Sequence, residues 1–208
     1  MSNRRCPEPR LILVSSSPRR RELLETAGWP VRVLPVAVDE TPWAGETPAD
    51  YVRRLAQAKA QAGASAWPAE SGGGTDPVLL LAADTTVACA DEILGKPADA
   101  QEARRMLRRL SGAQHRVLTG VCALDPAGGF FALEVAATEV WMLPWREEEI
   151  AAYVAGGEPM DKAGAYAIQG FAGQFVTRIE GSYSNVVGLP LASVREIWDR
   201  WMAARLLG

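Results

Sequence analysis

Histidine is nearly absent from this chain: His115 is the only one among 208 residues. His-centred catalytic triads and metal sites built from several imidazoles are therefore all but excluded. Any metal must be a hard cation held by oxygens. Cysteine is scarce too. Cys6, Cys89 and Cys122 lie far apart with no C-x-x-C pair, so neither a disulfide framework nor a zinc site is indicated. A reducing, cytoplasmic setting is expected. No run of 18 apolar residues and no charged-then-apolar leader occurs, so a soluble protein without a membrane partner is expected. A charge of one sign is missing as well. The 22 Lys and Arg stand against 25 Asp and Glu, a net of −3, which argues against nucleic acid as the main partner while leaving local clusters free to bind a small anion.

What is present begins with core-forming material, since 48% of residues are hydrophobic. That suffices for one domain, taken here as residues 1–208 with a polar leader over 1–9. The most informative segment is Leu11-Ile-Leu-Val-Ser-Ser-Ser-Pro-Arg-Arg-Arg-Glu-Leu-Leu24. Leu11 to Val14 reads as a buried strand. Ser17 suits an N-cap and Pro18 the first helical position, where its missing N–H costs nothing. Free backbone N–H groups and the positive end of the helix dipole then face the same place as hydroxyls and guanidinium groups, an arrangement suited to phosphate. An ordinary strand-to-helix turn with solvated arginines explains the segment equally well.

Further along, Gly28 ends the first helix and Val31 to Val38 reads as a strand with Pro35 at an edge or bulge. Thr47-Pro-Ala-Asp50 starts a second helix running to about Ala62, followed by a flexible loop over 63–77 with glycines at 72, 73 and 74. Val78 to Ala83 reads as a strand buried on both faces. Asp99 and Glu102 open a helix with an apolar stripe and an arginine face at 104, 105, 108 and 109 that is most simply solvated. Val117 to Leu124, Phe130 to Leu143 and Phe175 to Ile179 read as strands, and Trp145 to Ala155 and Leu191 to Leu207 as helices. This mixture predicts an α/β fold with a mixed central sheet flanked by helices. Trp198 and Trp201 on the closing helix suit either a homodimer interface or the core.

Several polar residues stand out against this frame. Asp84 directly follows the buried strand ending at Ala83, where a carboxylate borders the cleft of an open sheet; a turn-capping aspartate is the plain alternative. Lys96 lies in the turn Gly95-Lys-Pro97 and Lys162 in Asp161-Lys-Ala-Gly164, while Lys59 marks the edge of an apolar helical stripe. Asp39 and Glu40 end the second strand. Taken singly, each is most simply a surface residue. Together they fit a polyphosphate, a divalent cation and a water activated by a carboxylate.

The same segments, in the same order, resemble the Maf family, also called septum formation inhibitors. They are Ser15-Ser-Ser-Pro-Arg-Arg-Arg-Glu-Leu-Leu24, Val38-Asp-Glu40, Tyr51-Val-Arg-Arg-Leu-Ala56 with Lys59, Ala83-Asp-Thr85, Leu94-Gly-Lys-Pro97, Thr119-Gly-Val121, Asp161-Lys-Ala-Gly-Ala-Tyr166, Ile168-Gln-Gly170, Gly181-Ser-Tyr183 and Asn185-Val-Val-Gly-Leu-Pro-Leu191. The resemblance covers the chain from Leu11 to about Val194. It implies an inosine-triphosphatase-like fold with a substrate cleft between two lobes. It also implies cleavage of a nucleoside triphosphate between its α and β phosphates. On that likeness Asp84 is the proton acceptor, and Glu40 with Asp84 associates with Mg2+ or Mn2+. Ser15, Arg20, Lys59, Lys96 and Lys162 then hold phosphates. Arg19, Thr85 and Gln169 match the subgroup acting on dTTP and UTP. A physical reason accompanies this assignment, because an amide can donate to a uracil carbonyl and accept from its N3–H, though a flipped amide also serves cytosine. Two alternatives stay open: a pyrophosphatase for 7-methyl-GTP or another modified purine, and a nucleotide-binding regulator of septum formation without turnover.

Overall fold

The computed structural model describes residues 10–70, 76–90 and 92–207; the expected leader over 1–9 and the loop glycines at 72, 73 and 74 lie outside them. The element order is β1 (Arg10–Val14), α1 (Pro18–Thr26), β2 (Val31–Val33), α2 (Pro48–Glu70), β3 (Val78–Cys89), β4 (Glu92–Leu94), α3 (Ala100–Leu110), β5 (Gln114–Leu124), β6 (Phe131–Met142), α4 (Glu147–Ala155), β7 (Val176–Glu180), α5 (Tyr183–Val187) and α6 (Leu191–Leu207), with three short 3-10 turns between α4 and β7. The strands form one mixed sheet in the order β2-β1-β3-β5-β6-β7, with β4 also paired to β3. β1 runs parallel to both of its neighbours, and the other pairings are antiparallel. Helices cover both faces: α6 places Val194, Ile197 and Trp201 on the side chains of Leu11, Leu13, Leu79 and Leu81, and α2 packs Ala56 and Ala60 against Ile12, Val14, Leu80 and Ala82. The alternation of β1 and β3 residues between these two clusters is the period of two expected of a strand. No helix of the described residues is long and apolar enough to cross a membrane.

Three sequence expectations need correction. The second helix does not stop near Ala62 but continues to Glu70, so most of the loop expected over 63–77 is helical wherever it is described. Gly63 is not a terminator; a Cβ there would lie 2.7 Å from a methyl of Val14, so glycine lets α2 close onto β1. The second strand is only three residues long. Its ladder ends when Leu34 donates to Leu13 O and Pro35 offers no N–H, which leaves Asp39 and Glu40 in irregular chain rather than at a strand end. β3 does not end at Ala83 but runs through Asp84 to Cys89.

The last correction explains the cleft. One edge of β3 is paired with β5 continuously from Leu80 to Ala88. The other edge is taken first by β1, whose register ends with Val14 opposite Ala82, and then by β4, whose Leu94 lies opposite Val87. Residues 83–86 are left without a strand on that edge. The sheet is split there, and Asp84 stands in the split.

Candidate active site

Building outward from the split, the chain leaves β1 at Ser15 and turns into α1. Ser15 Oγ accepts from the Ser17 N–H at 3.1 Å, and Ser17 caps the helix with Pro18 in its first turn, as the Ser-Ser-Ser-Pro run predicts. Arg20 then reaches back across the turn. Its Nε donates to Gly188 O at 2.8 Å, Nη2 to Thr85 Oγ1 at 3.0 Å and Nη1 to Ser15 Oγ at 3.3 Å. Every acceptor is neutral, so the guanidinium is held in place with its charge uncancelled. Burial pushes its pKa down, against the pull of Asp84.

Asp84 and Thr85 point to opposite faces of β3. Thr85 Oγ1 contacts Thr119 Oγ1 at 2.9 Å and donates to Gly188 O at 3.2 Å. Asp84 faces α2, where Lys59 Nζ lies 2.5 Å from its Oδ1 and 2.6 Å from Glu40 Oε1. One ammonium thus clamps two carboxylates. Burial pushes the Asp84 carboxyl above the ordinary aspartate range even though Lys59 and Arg20 pull it down. Burial also raises the Glu40 carboxyl, but Lys59, with Lys96 and Arg20 beyond it, outweighs that and holds it low. Environment therefore pushes the two acids in opposite directions, Asp84 up by burial and Glu40 down by its cations. Tyr51 donates to Glu40 O at 2.9 Å and so anchors the irregular segment that carries this acid.

The opposite wall comes from the turns after α4. Asp161 accepts from Arg19 Nη1 at 2.8 Å on Oδ2 and from Lys162 Nζ at 2.6 Å on Oδ1. Gln169 follows in the turn Ala167–Gly170, closed by the Gly170 N–H on Ala167 O. The open cavity between these walls measures about 340 Å3 and is lined by every predicted site residue: Ser15, Arg19, Arg20, Glu40, Lys59, Asp84, Thr85, Lys96, Lys162 and Gln169. It falls in the size range of small-molecule sites, ~300–1,000 Å3. Five basic side chains face three carboxylates there, so a chain of net charge −3 concentrates positive charge at this one place.

The matched region of the Maf family, described as Maf-like protein, spans residues 10–201. The chain belongs to the Maf-like family. Its Maf-like relatives include three proteins named dTTP/UTP pyrophosphatase. That of Anaeromyxobacter dehalogenans strain 2CP-C is 51% identical over 194 residues, covering 92% of this chain and 94% of the relative. That of Geobacter sulfurreducens is 50% identical over 187 residues, covering 90% and 94%. The third, from Citrifermentans bemidjiense, is 49% identical over 184 residues, covering 88% and 91%. The Staphylococcus aureus Ham1 protein is similar at a TM-score of 0.40 and 12% identity, over 65% of this chain and 72% of that one.

In this Maf-like chain the lining also holds Asp161, Tyr166 and Thr86, to which the sequence assigns no role. Asp161 stood in a motif already singled out but carried no assignment. Tyr166 lines the cavity while its hydroxyl meets His115 Nε2 at 2.8 Å, which accounts for the lone histidine as a buried partner. Thr86, a hydroxyl beside Asp84 in the sequence, is fully buried in the lining and unpartnered. No cluster of three or more His, Cys, Asp or Glu able to hold a metal occurs among the described residues. The donor set on offer is the Glu40–Asp84 pair, two hard oxygens on one ammonium. It suits a cation such as Mg2+ that keeps waters and shares substrate phosphates rather than filling an all-protein cage.

Proposed function

We propose that this protein hydrolyses dTTP and UTP to the nucleoside monophosphate and pyrophosphate, clearing these and modified pyrimidine triphosphates from the cytoplasmic nucleotide pool. The observation that carries the reading is Asp84: a buried carboxylate of raised basicity, set in a split of the sheet between a hydroxyl-arginine turn and three lysines. The names of the relatives at about half identity support the choice of bases.

Asp84 accepts the proton of the water that attacks the α-phosphorus. Its pKa, raised by burial, makes it a better base than a solvated carboxylate. Arg20, fixed by three neutral acceptors, keeps its full charge for the phosphates and needs no reorganisation as the bond breaks. Lys59, Lys96 and Lys162, with Ser15, neutralise the departing pyrophosphate. Glu40 and Asp84 would hold a divalent cation, which supplies charge neutralisation and acidifies a bound water. Arg19 and Gln169, on facing walls, recognise the base, and Thr85 contributes by holding Arg20 where the nucleotide enters.

The test is pyrophosphate release from dTTP, UTP, CTP, GTP and 7-methyl-GTP with Mg2+ or Mn2+. Preference for dTTP and UTP is expected. Preference for 7-methyl-GTP would reassign the base pocket, and tight binding without release would make the protein a regulator rather than an enzyme.

A further inference from the structure

Neither Tyr153 nor Glu158 lines the cavity, yet together they tie two of the turns that build one of its walls. The Ala167 N–H donates to Tyr153 Oη at 3.2 Å, and that hydroxyl donates onward to Glu158 Oε1 at 2.9 Å. A chain of this polarity strengthens each of its bonds. The ring of Tyr153 is buried and stacked on Phe171, with centroids 5.6 Å apart. The hydroxyl is therefore aimed by packing rather than by solvent. At the other end of the turn the Glu158 carboxylate lies against Gly170, where an added Cβ would collide with it. The backbone of Glu158 faces the phosphate wall, its carbonyl accepting from Lys162 Nζ at 2.6 Å. Ala167 and Gly170 are the two ends of the turn that carries Gln169.

We propose that Tyr153 and Glu158 are positioning residues for base selection: their hydroxyl–carboxylate pair grips both ends of the Ala167–Gly170 turn and so fixes the direction of the Gln169 amide. The proposal rests on the assignment of Gln169 to base recognition. It explains why position 170 is glycine although its φ of −109° is open to any residue; the space is needed by the Glu158 carboxylate, not by the backbone. An amide held in one orientation distinguishes uracil from cytosine, which present opposite donor and acceptor patterns. A loosely held amide rotates and serves both.

The experiment compares kcat/KM for UTP and CTP, which share ribose and triphosphate, in Tyr153→Phe, Gly170→Ala, Glu158→Gln and Gln169→Ala, with thermal midpoints recorded for each. Tyr153→Phe removes only the hydroxyl, and Gly170→Ala pushes the Glu158 carboxylate off it. Both should narrow the UTP-to-CTP ratio by on the order of tenfold with little change in midpoint. Glu158→Gln keeps an acceptor for the hydroxyl and should hold the ratio near that of the unmodified protein. Should Tyr153→Phe fail to fold, Gly170→Ala alone decides. A ratio left unchanged by Gly170→Ala and by any folded Tyr153→Phe, while Gln169→Ala collapses it, overturns the positioning role and leaves Gln169 in place. A ratio that Gln169→Ala itself does not move overturns the base assignment and the positioning role together.

Discussion

Replacing Asp84 by asparagine separates catalysis from stability in opposite directions. The amide keeps the shape and loses the proton-accepting charge. A positioned general base contributes roughly 10²–10⁴-fold, so turnover should fall on the order of a thousandfold, read as pyrophosphate release from dTTP. Binding should survive, because Ser15, Arg20, Lys96 and Lys162 are untouched and one carboxylate fewer faces the triphosphate; titration calorimetry with dTTP measures this. The stability effect follows from the sign of the pKa shift. The carboxyl is only 9% exposed and burial raises its folded pKa above the ordinary 3.8 despite Lys59 and Arg20. The folded state therefore binds the proton more tightly than the unfolded one. Its favourable contribution is present below 3.8 and is lost as pH rises through the folded value. Above the folded value ionised Asp84 is a net cost. Lys59 keeps Glu40 at 2.6 Å in the variant and is not orphaned. Asp84→Asn should thus melt at the same temperature as the unmodified protein or higher at pH 7. Turnover within tenfold of normal would remove Asp84 from its catalytic role, and a lowered melting temperature would refute the burial account of its basicity.

Other consequences are independent of the chemistry. His115 is 2% exposed and burial lowers its pKa from 6.5 to about 4, so its contribution is complete above 6.5 and drains away as pH falls toward 4. Between pH 7 and pH 5 the protein should lose about 2 kcal/mol that His115→Gln does not lose, measured by urea unfolding; equal losses would refute the assignment. A Cβ on Gly120 would strike the backbone carbonyl of Val52 in α2, whereas one on Gly63 meets only the Val14 side chain. Gly120→Ala should therefore cost about 3 kcal/mol and Gly63→Ala about 1 kcal/mol, the reverse order in denaturant melts being the failing result. Lys59→Met leaves Asp84 and Glu40 facing each other without their shared ammonium, which raises the Asp84 pKa further. The acid limb of its pH–rate profile should move to higher pH than in the unmodified protein, and an unmoved limb would place the titrating base elsewhere.

Where local chemistry decided structure, it could be read from the chain. The Ser17 cap and Pro18 start of α1, the buried run at Val78, and the apolar stripe of α3 needed only neighbours a few residues away. The ten expected site residues also converge on one cavity. What could not be read depended on distant partners. Gly63 looks like a helix stop until Val14 lies against it. Asp84 looks like the residue after a strand because the run of apolar side chains ends at Ala83; the strand continues because β5 pairs with it across the polar stretch as far as Ala88. Trp201, equally suited to an interface or the core by spacing alone, is buried, its indole N–H donating to Asp125 at 3.0 Å, while Trp198 meets Trp29 edge to face.

The continuation of β3 bears directly on the chemistry. A carboxylate on a loop after a strand can swing toward solvent and regain ordinary acidity. One held mid-strand by a ladder on its far edge cannot, and the missing partner on its near edge leaves it open to the cavity. Most of the cations around it already have anions of the protein as partners: Lys59 with Asp84 and Glu40, and Arg19 and Lys162 with Asp161. An incoming triphosphate must displace these carboxylates from shared cations. Arg20 is held by three hydrogen bonds yet forms no ion pair, since its acceptors are hydroxyls and a carbonyl. A weakly charged anion gains little by such an exchange, while a triphosphate replaces several carboxylate contacts at once. Affinity should therefore rise steeply from monophosphate to triphosphate, which favours release of the monophosphate once the anhydride is cut.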